Sequence, residues 1–317
     1  MMKKKILVGI IVFLIAVVCI VSYVVVKKAT TEGIWLGDYK YYFNLEEKTA
    51  SIRDYRGNET KITLPTKIVG FKITKIDISS TKFDGGASEE DGVKVIYVPK
   101  EMDIIDIGNA SSLEEIYFED GTTNITCINI DSCNNLKIID IPETVKSISI
   151  LGLTYADKLE NIEFPKEITN IGLFDLYDVL FENKHLNDKY YVVGDAILLF
   201  YNGDEEEVVI PSGIKVIPNA VLLDNKVKEL YIPDTVEKAD ALIIPNGATA
   251  YFGNGKIENL EDEIDCFIHG TVVAPAGSYM EQYCKENNVD FRAMTEEEEA
   301  IWREKTEAAA SEIVYQD

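Results

Sequence analysis

Residues that commonly perform catalysis or bind metals are few in this sequence. The two histidines, His185 and His269, are far apart, each lies beside loop-like sequence, and neither has a nucleophile motif near it. No HExxH pattern, phosphate-cradling glycine loop or calcium loop is present. The sequence therefore predicts a protein that is not an enzyme and that carries no cofactor.

Cysteines can supply redox chemistry or a zinc site, and four follow the N-terminal stretch: Cys127, Cys133, Cys266 and Cys284. None belongs to a Cys-x-x-Cys pair or has a histidine nearby in sequence, so a zinc site is not indicated. Cys127 and Cys133 either form a disulfide or are buried as free thiols, since cysteine is also a small apolar residue in repeat cores. The free, buried state is favoured.

Acidic residues greatly outnumber basic ones. The 317-residue chain has 55 Asp and Glu against 31 Lys and Arg, a formal net charge of −24, and five of the lysines lie in the first 28 residues. An acidic surface of this size repels phosphate backbones, so nucleic acid is not an expected partner. Acidic runs at 88–91, 204–207 and 296–299 are either weak calcium ligands or, as we favour, solvated surface.

The N-terminus has the composition of a membrane span. Residues 6–26 are uncharged and mostly aliphatic, and as a helix they are about 31 Å long, which matches the hydrocarbon core of a bilayer. The apolar stretch continues to two lysines with no small-residue cleavage site, which predicts an uncleaved signal anchor. Three lysines and the terminal amine precede it, so residues 1–5 are predicted to be cytoplasmic and the chain beyond a linker at 27–38 extracellular.

One phrase recurs along the rest of the chain. It is clearest as LKIIDIPETVKSI from Leu136 and LENIEFPKEITNI from Leu159. In both, apolar residues stand three and one before the proline and three and six after it, which predicts a strand, a tight turn and a second short strand. The phrase recurs with a period near 22 or 23 residues, typical of leucine-rich repeats. No repeat of this size closes its own core, so neighbours are expected to stack into one solenoid.

These residues resemble the BspA-like leucine-rich repeats of bacterial surface antigens. The family follows a strand of the form L-x-x-I-x-I-P with a segment reading Ala-Phe-x-x-Cys-x-x-Leu, of which residues 131–136 keep the end and residues 219–221 the start. Segments 49–65 and 277–291 are similar to the family's N-terminal cap and to its terminal helix and last strand. The resemblance covers roughly Tyr39 to Met294 and implies a mostly β repeat solenoid.

The convex side of the solenoid departs from the family pattern. The Ala-Phe pair is missing from residues 108–112, 151–156 and 172–177. A regular helix is therefore not expected there, and irregular, 3₁₀ or short helical turns are predicted.

The sequence also predicts the ends of the repeat domain, residues 39–294, and one interruption within it. Residues 39–65 are predicted to be an N-terminal cap and residues 275–294 a C-terminal cap. Residues 180–201 read as a β-hairpin that turns at Gly194. The resemblance implies that such hairpins protrude from the stack. In this chain the hairpin is expected to replace one repeat.

The C-terminal segment, residues 295–317, is an acidic stretch with helical pattern. Thr295 and Glu298 form a capping box at its start. The helix either docks on the last repeat through Ile301 and Trp302 or projects as a partner-binding appendage.

Function in a solenoid of this kind is expected on the concave strand face. Side chains two positions before each proline point outward on neighbouring strands and form a ladder, and this row reads Thr63, Tyr97, Tyr117, Asp140, Glu163, Val209 and Tyr231. Exposed tyrosines offer a protein or glycan ligand a large rigid area with a polar tip. The same residues also favour strands, and Tyr97 stacked on Tyr117 would stabilise a sheet without any ligand.

The sequence thus predicts a membrane-anchored, non-enzymatic surface protein that binds an extracellular protein or glycan through this ladder. The alternative, from a different class, is an envelope scaffold that holds a partner membrane protein through the transmembrane helix and the C-terminal tail.

Overall fold

The computed structural model describes residues 23–78, 92–203, 205–218, 226–239, 242–257 and 267–316. Over this range the chain is a succession of short strands, so the mostly β solenoid predicted from the repeats is confirmed. The strands form two successive stacks, each with sheets on both sides of its own hydrophobic core. We name the five sheets A to E.

Sheet A is the longest and begins with the N-terminal meander. Its strands are β1 (Ile34–Leu36), β2 (Tyr39–Asn44), β3 (Thr49–Tyr55), β5 (Lys67–Ile68), β6 (Phe71–Ile78), β8 (Ile104–Gly108), β10 (Asn124–Asp131), β12 (Ser147–Ala156) and β13 (Asn170–Val179). The first three strands pair antiparallel, and β5 pairs antiparallel with β6. From β3 through β6, β8, β10 and β12 to β13 the pairing is parallel.

Sheet B lies across the first core from sheet A and is wholly parallel. Its strands are β4 (Lys61–Thr63), β7 (Val95–Val98), β9 (Glu115–Phe118) and β11 (Ile138–Asp140). An isolated parallel bridge between Asp140 and Glu163 adds one more rung. Each repeat from β7 onward therefore contributes one segment to sheet B and then one strand to sheet A.

A recurring backbone conformation shows that the repeats are in phase. Asn109, Ser132, Tyr155 and Asp178 have φ values of 55°, 55°, 51° and 56°. They stand 23 positions apart in sequence, near the end of successive strands of sheet A. Non-glycine residues adopt this left-handed conformation infrequently, so its regular recurrence reflects the repeat itself.

The second stack consists of sheets C, D and E. Sheet C contains β14 (Tyr190–Val193), β15 (Ile197–Tyr201), β17 (Val216–Ile217), β19 (Lys238–Ala239) and β25 (Ile313–Tyr315). Sheet D is parallel throughout and contains β16 (Glu207–Val209), β18 (Glu229–Ile232), β21 (Thr249–Phe252), β23 (Thr271–Ala274) and β24 (Phe291–Ala293). Sheet E is the pair β20 (Ile243–Ile244) and β22 (Phe267–Ile268).

Helices contribute little to the described residues. They are α1 (residues 23–31), α2 (Leu180–Lys184), α3 (Tyr279–Asn287) and α4 (Glu296–Ala309), which continues into a 3₁₀ turn at Ala310–Glu312. Among the described residues, no helix has both the length and the apolar character needed to cross a bilayer. The predicted span at 6–26 lies outside this range, except for its last four positions in α1.

One prediction from the sequence is wrong for the side of the stack opposite sheet B. Residues 151–156 and 172–177, expected as irregular or 3₁₀ turns, lie within β12 and β13, two ten-residue strands of sheet A. Residues 108–112 end β8 and continue as a turn. Without the Ala-Phe pair that would fill a helical layer, this side extends as a sheet whose alternate side chains, such as Leu151 and Leu153, fill the core.

The hairpin of β14 and β15 lies between the two hydrophobic cores. Tyr191, Val193, Ile197 and Leu199 belong to the first core, and Tyr190, Val192 and Leu198 belong to the second. Because successive side chains of a strand point to opposite faces, both faces of the hairpin are buried. The hairpin therefore does not protrude from the stack, and its unbroken apolar sequence is that of a strand covered on both sides.

We expect truncation of either of two adjacent leucines in β15 to destabilise the protein. Leu198→Ala removes side-chain volume from the second core and Leu199→Ala from the first, so each should cost about 2–5 kcal/mol of unfolding free energy. Urea denaturation of residues 27–317 measures this. Leu173→Ala on the exposed face of β13 is the control and should cost about 0.5 kcal/mol or less. A small cost for either leucine would contradict burial on both faces.

Candidate functional site

An in-register row of side chains crosses the outer face of sheet B. Backbone pairing places Thr63 beside Tyr97, Tyr97 beside Tyr117, Tyr117 beside Asp140, and Asp140 beside Glu163. The preceding residue of each strand is buried in the first core, namely Ile62, Ile96, Ile116, Ile139 and Ile162. Alternation along each strand therefore directs the row away from the core. We call these five residues the first ladder.

Two tyrosines form the centre of the first ladder. The rings of Tyr97 and Tyr117 stack with centroids 5.5 Å apart and an interplanar angle of 20°. Tyr97 is 42% exposed, and the Tyr117 hydroxyl donates a 3.0 Å hydrogen bond to a carboxylate oxygen of Glu115. This hydrogen bond, together with burial, raises the pKa of Tyr117, because the bond requires the neutral hydroxyl. The pair is a flat, neutral aromatic surface that is open to solvent.

Carboxylates form the far end of the first ladder. Asp140 and Glu163 are exposed, and within the part of the chain that the structure describes, no lysine or arginine forms an ion pair with either. The nearby cations Lys94 and Lys137 instead contact Glu114, at 3.8 Å and 2.5 Å. The first ladder thus runs from an aromatic centre to an acidic end.

The end of the chain closes the edge of sheet B beyond Glu163. The side-chain amide of Gln316 accepts a 3.2 Å hydrogen bond from the backbone N–H of Phe164 and donates a 3.0 Å bond to its carbonyl. Gln316 directly follows β25, which pairs with β14 of the hairpin. The amide occupies polar groups that would otherwise remain open for another strand.

A second row crosses sheet D and repeats the chemistry of the first. We call it the second ladder, and its residues, paired in register, are Val209, Tyr231, Tyr251, Val273 and Arg292. The rings of Tyr231 and Tyr251 stack at 4.6 Å with an interplanar angle of 6°. The Tyr231 hydroxyl donates a 3.0 Å hydrogen bond to Glu229, as Tyr117 does to Glu115. Burial and this hydrogen bond raise the pKa of Tyr231.

Helix α4 lies across the second ladder. Trp302 is buried, and its indole N–H donates a 3.0 Å hydrogen bond to the carbonyl of Ile232. The Lys305 ammonium lies 4.2 Å from the ring centroid of Tyr231 and 2.5 Å from a carboxylate oxygen of Glu207. As a result, Tyr231 is only 4% exposed. The tail is therefore docked, with Trp302 and Lys305 on β16 and β18 and with Glu298 of its first turn on Arg292 of the last strand of sheet D.

The structure divides the residues that the sequence predicted as one site. Thr63, Tyr97, Tyr117, Asp140 and Glu163 share sheet B, whereas Val209 and Tyr231 belong to sheet D. Tyr231 was expected on the surface and is instead covered, because α4 packs over it.

Sequence reasoning missed the residues that complete and cover the second ladder. Pro275 stands two positions after Val273, and Gly253 takes the place of proline two positions after Tyr251. Extending the repeat count through these two positions would have found both rungs. Docking through Trp302 is one of the two arrangements that the sequence predicts for the tail, but its contact with β18 depends on where the tail crosses the stack.

His185 lies in a pocket of about 440 Å³ beside the end of the first ladder. Its Nδ1 is 2.7 Å from a carboxylate oxygen of Asp188, and its ring lies 3.8 Å from that of Tyr191. No serine, threonine or cysteine is among the described residues that line this pocket. The pair therefore has no nucleophile of the kind that a hydrolase triad uses. His269 does not line this pocket.

The remaining chemically reactive groups occupy structural positions. Cys127, Cys133 and Cys284 are not joined by disulfides among the described residues, and burial raises the pKa of Cys284 to about 11. Cys266 and the acidic run 88–91 lie outside the described residues. The glutamates of the acidic run 204–207 pair with lysines, through the contacts Glu205–Lys189, Glu206–Lys228 and Glu207–Lys305. Within the described ranges, no group of His, Cys, Asp and Glu is arranged to hold a metal ion.

Comparison with known families identifies the repeats. The model of the BspA type leucine rich repeat region matches in six copies, over residues 93–196 and 129–246. The matched residues run from β7 to β20 and so include part of each stack. The resemblance seen in the sequence is confirmed, and residues 93–246 are BspA-type leucine-rich repeats.

Solved structures with the same repeat type are only distantly similar. A leucine rich cell surface protein from Faecalibacterium prausnitzii is 15% identical, with 87% of this chain and 97% of that chain covered and a TM-score of 0.25. A leucine-rich repeat protein from Bacteroides ovatus is 15% identical, with 82% and 67% covered and a TM-score of 0.34. The leucine rich repeat protein of T. pallidum is 16% identical, with 82% and 98% covered and a TM-score of 0.26. No curated protein matches the chain.

The start of α4 predicts a pH dependence of tail docking. Hydrogen bonds from Arg292, and then from the backbone N–H of Thr295, lower the pKa of Glu298 from 4.5 to about 2. A carboxylate with a lowered folded-state pKa stabilises the fold above its unfolded pKa, and this contribution is lost as pH falls through its folded pKa. We expect Trp302 to become exposed between about pH 4.5 and pH 2, measured as a red shift of its emission in a Trp35→Phe background.

Glu298→Gln should weaken docking at neutral pH and flatten the titration in this window. Glu304→Gln, an exposed position of the same helix, is the matched control and should follow the parent protein. An unchanged titration curve in Glu298→Gln would show that another group controls docking.

Proposed function

We propose that this protein is a non-enzymatic interaction protein of the bacterial cell surface, whose first ladder binds an extracellular protein or glycan. The observation that carries the proposal is the contrast between the two ladders. Both present a stacked tyrosine pair with a Glu-x-Tyr hydrogen bond, but among the described residues a helix of the chain covers only the second. A surface with the same chemistry is left open on sheet B.

The composition of the first ladder supports a role in recognition. Tyrosine combines a large, rigid apolar area with a hydroxyl, and aromatic residues are enriched where binding energy is concentrated. Stacking of Tyr97 on Tyr117 fixes the orientation of the two rings before any ligand arrives, which reduces the entropy lost on binding. Asp140 and Glu163 add charge at one end, which favours one orientation of a ligand.

We further propose that residues 6–26 anchor the chain in the membrane with its N-terminus in the cytoplasm. The support is the uncharged length of this segment and the lysines on its cytoplasmic side. The strongly acidic remainder suits a surface that must stay soluble outside the cell. In this arrangement the repeat domain presents both ladders to the exterior.

The alternative function, a scaffold that holds a partner membrane protein, would use residues 6–26 and the C-terminal tail. The docked position of the tail argues against the part of this alternative in which the tail binds the partner. Trp302 and Lys305 are engaged with sheet D, and Gln316 with Phe164, so most of the tail's distinctive side chains are already occupied.

Loss of both tyrosines of the first ladder should abolish capture of the partner. Residues 27–317 and the full-length chain in detergent are used in parallel to capture ligands from envelope extract and from host-surface glycan and matrix preparations. Tyr97→Ala with Tyr117→Ala should cost at least about 2 kcal/mol of binding free energy, the scale of an aromatic hot spot. Binding of the same partner is measured by surface plasmon resonance.

A matched control is available on the opposite face. Tyr155 and Tyr177 are also exposed, neighbouring and in ring contact, at 5.5 Å, so Tyr155→Ala with Tyr177→Ala removes an equivalent pair from sheet A. Undiminished binding by the first-ladder variant would refute a role for that face. Capture by the full-length chain alone would favour the scaffold alternative.

A further inference from the structure

The second ladder shows how this kind of surface holds a ligand. Its occupant, α4, places an aromatic residue and a lysine one helical turn apart, Trp302 and Lys305. The indole hydrogen-bonds the carbonyl of Ile232, at the end of β18, and the lysine lies over the ring of Tyr231 with its charge on Glu207. A cation over an aromatic face and a charge-assisted hydrogen bond are both stronger when partly shielded from water.

The first ladder offers similar groups, on the other side of its tyrosine pair. Tyr117 and Phe118 end β9 in the sequence EIYF, as Tyr231 and Ile232 end β18 in ELYI, and Tyr117 is likewise hydrogen-bonded to the glutamate two residues before it. Tyr231 stacks on Tyr251 of the following strand, so its other face, toward β16, receives Lys305. Tyr117 stacks on Tyr97 of the preceding strand, so its other face is on the side of β11 and Asp140. A helix that brings a lysine to that face and an aromatic residue to the end of β9 would meet an aromatic face for the cation and a strand-end carbonyl.

Charge complementarity identifies the lysine as the favoured feature of such a helix. In the second ladder the cation has one carboxylate, Glu207, beside the tyrosine. In the first ladder Asp140 follows Tyr117 in register and Glu163 follows Asp140. Lys94 and Lys137, which directly precede two strands of sheet B, contact Glu114 instead. A bound lysine would therefore gain two carboxylates that the described part of the chain leaves without a cation.

We propose that the first ladder binds a helical segment of a partner protein that presents an aromatic residue and a lysine one turn apart. The lysine lies on the face of Tyr117 away from Tyr97, with its ammonium toward Asp140 and Glu163, and the aromatic residue packs toward the end of β9. This assignment rests on the proposed function and narrows its ligand from an unspecified protein or glycan to a cationic amphipathic helix.

The probe that tests this is a fluorescent peptide with the sequence of residues 294–312. Positions 297 and 301, both exposed in α4, are replaced by a hydrocarbon staple that keeps the peptide helical. The peptide is titrated into the full-length chain in detergent and followed by fluorescence anisotropy. The second ladder is not available to it, since the tethered α4 competes at a high effective concentration.

We expect saturable binding with one site per chain. Tyr97→Ala with Tyr117→Ala should weaken it about tenfold or more, and so should Lys305→Glu in the peptide, because each removes the cation–aromatic contact. Raising the salt concentration should also weaken binding, since partly exposed charges are screened. Tyr251→Ala in the second ladder and Tyr155→Ala with Tyr177→Ala on sheet A are the controls and should leave the affinity unchanged.

Several results would overturn the proposal. Absence of binding by the stapled peptide, equal binding by its Lys305→Glu form, or loss of binding in Tyr251→Ala would each do so. Exchange of tails between two copies, detected as a dimer by light scattering, would make a second copy the occupant instead. If a glycan or partner protein binds through Tyr97 and Tyr117 but the peptide does not bind, this inference is wrong and the proposed function is retained. If capture does not depend on the two tyrosines, both the inference and the proposed function are wrong.

Discussion

The hairpin of β14 and β15 is the element on which both halves of the molecule depend. One face of it completes the first core and the other completes the second. A leucine-rich repeat cannot bury its own apolar side chains and needs a neighbour on each side. The hairpin is the neighbour for both stacks, so two short rows of repeats behave as one folded body rather than as two unfinished ones.

The position of the hairpin leaves an edge of sheet B without a neighbouring strand, and the C-terminal tail covers this edge. Between Phe164 and β16 the chain contributes no strand to sheet B or sheet D, because residues 180–201 turn inward as α2 and the hairpin. Strand β25 pairs with β14, and Gln316 satisfies the backbone of Phe164. On its way there, α4 has to cross sheet D, and this path lays Trp302 and Lys305 on the second ladder.

Helix α4 therefore covers the second ladder and not the first because of the path of the chain, and not because the tyrosine pairs of the two ladders differ in chemistry. Both ladders carry stacked tyrosines and a tyrosine-to-glutamate hydrogen bond. The tail reaches only the one beside its own attachment to β24. Burial of apolar and aromatic area is favourable on either sheet. The first ladder can therefore still gain free energy by binding a ligand, whereas the second ladder is already buried by α4.

The sequence by itself determined the repeat: its period, its alternation and its prolines placed Thr63, Tyr97, Tyr117, Asp140 and Glu163 in one row, since these signals act within a strand and between adjacent strands. Only the tertiary structure decided that residues 151–156 and 172–177 extend a sheet, that the hairpin is buried on both faces, and that α4 covers Tyr231. Those outcomes depend on contacts between segments distant in the chain, such as Trp302 with Ile232, and local patterns carry no record of which distant surfaces meet.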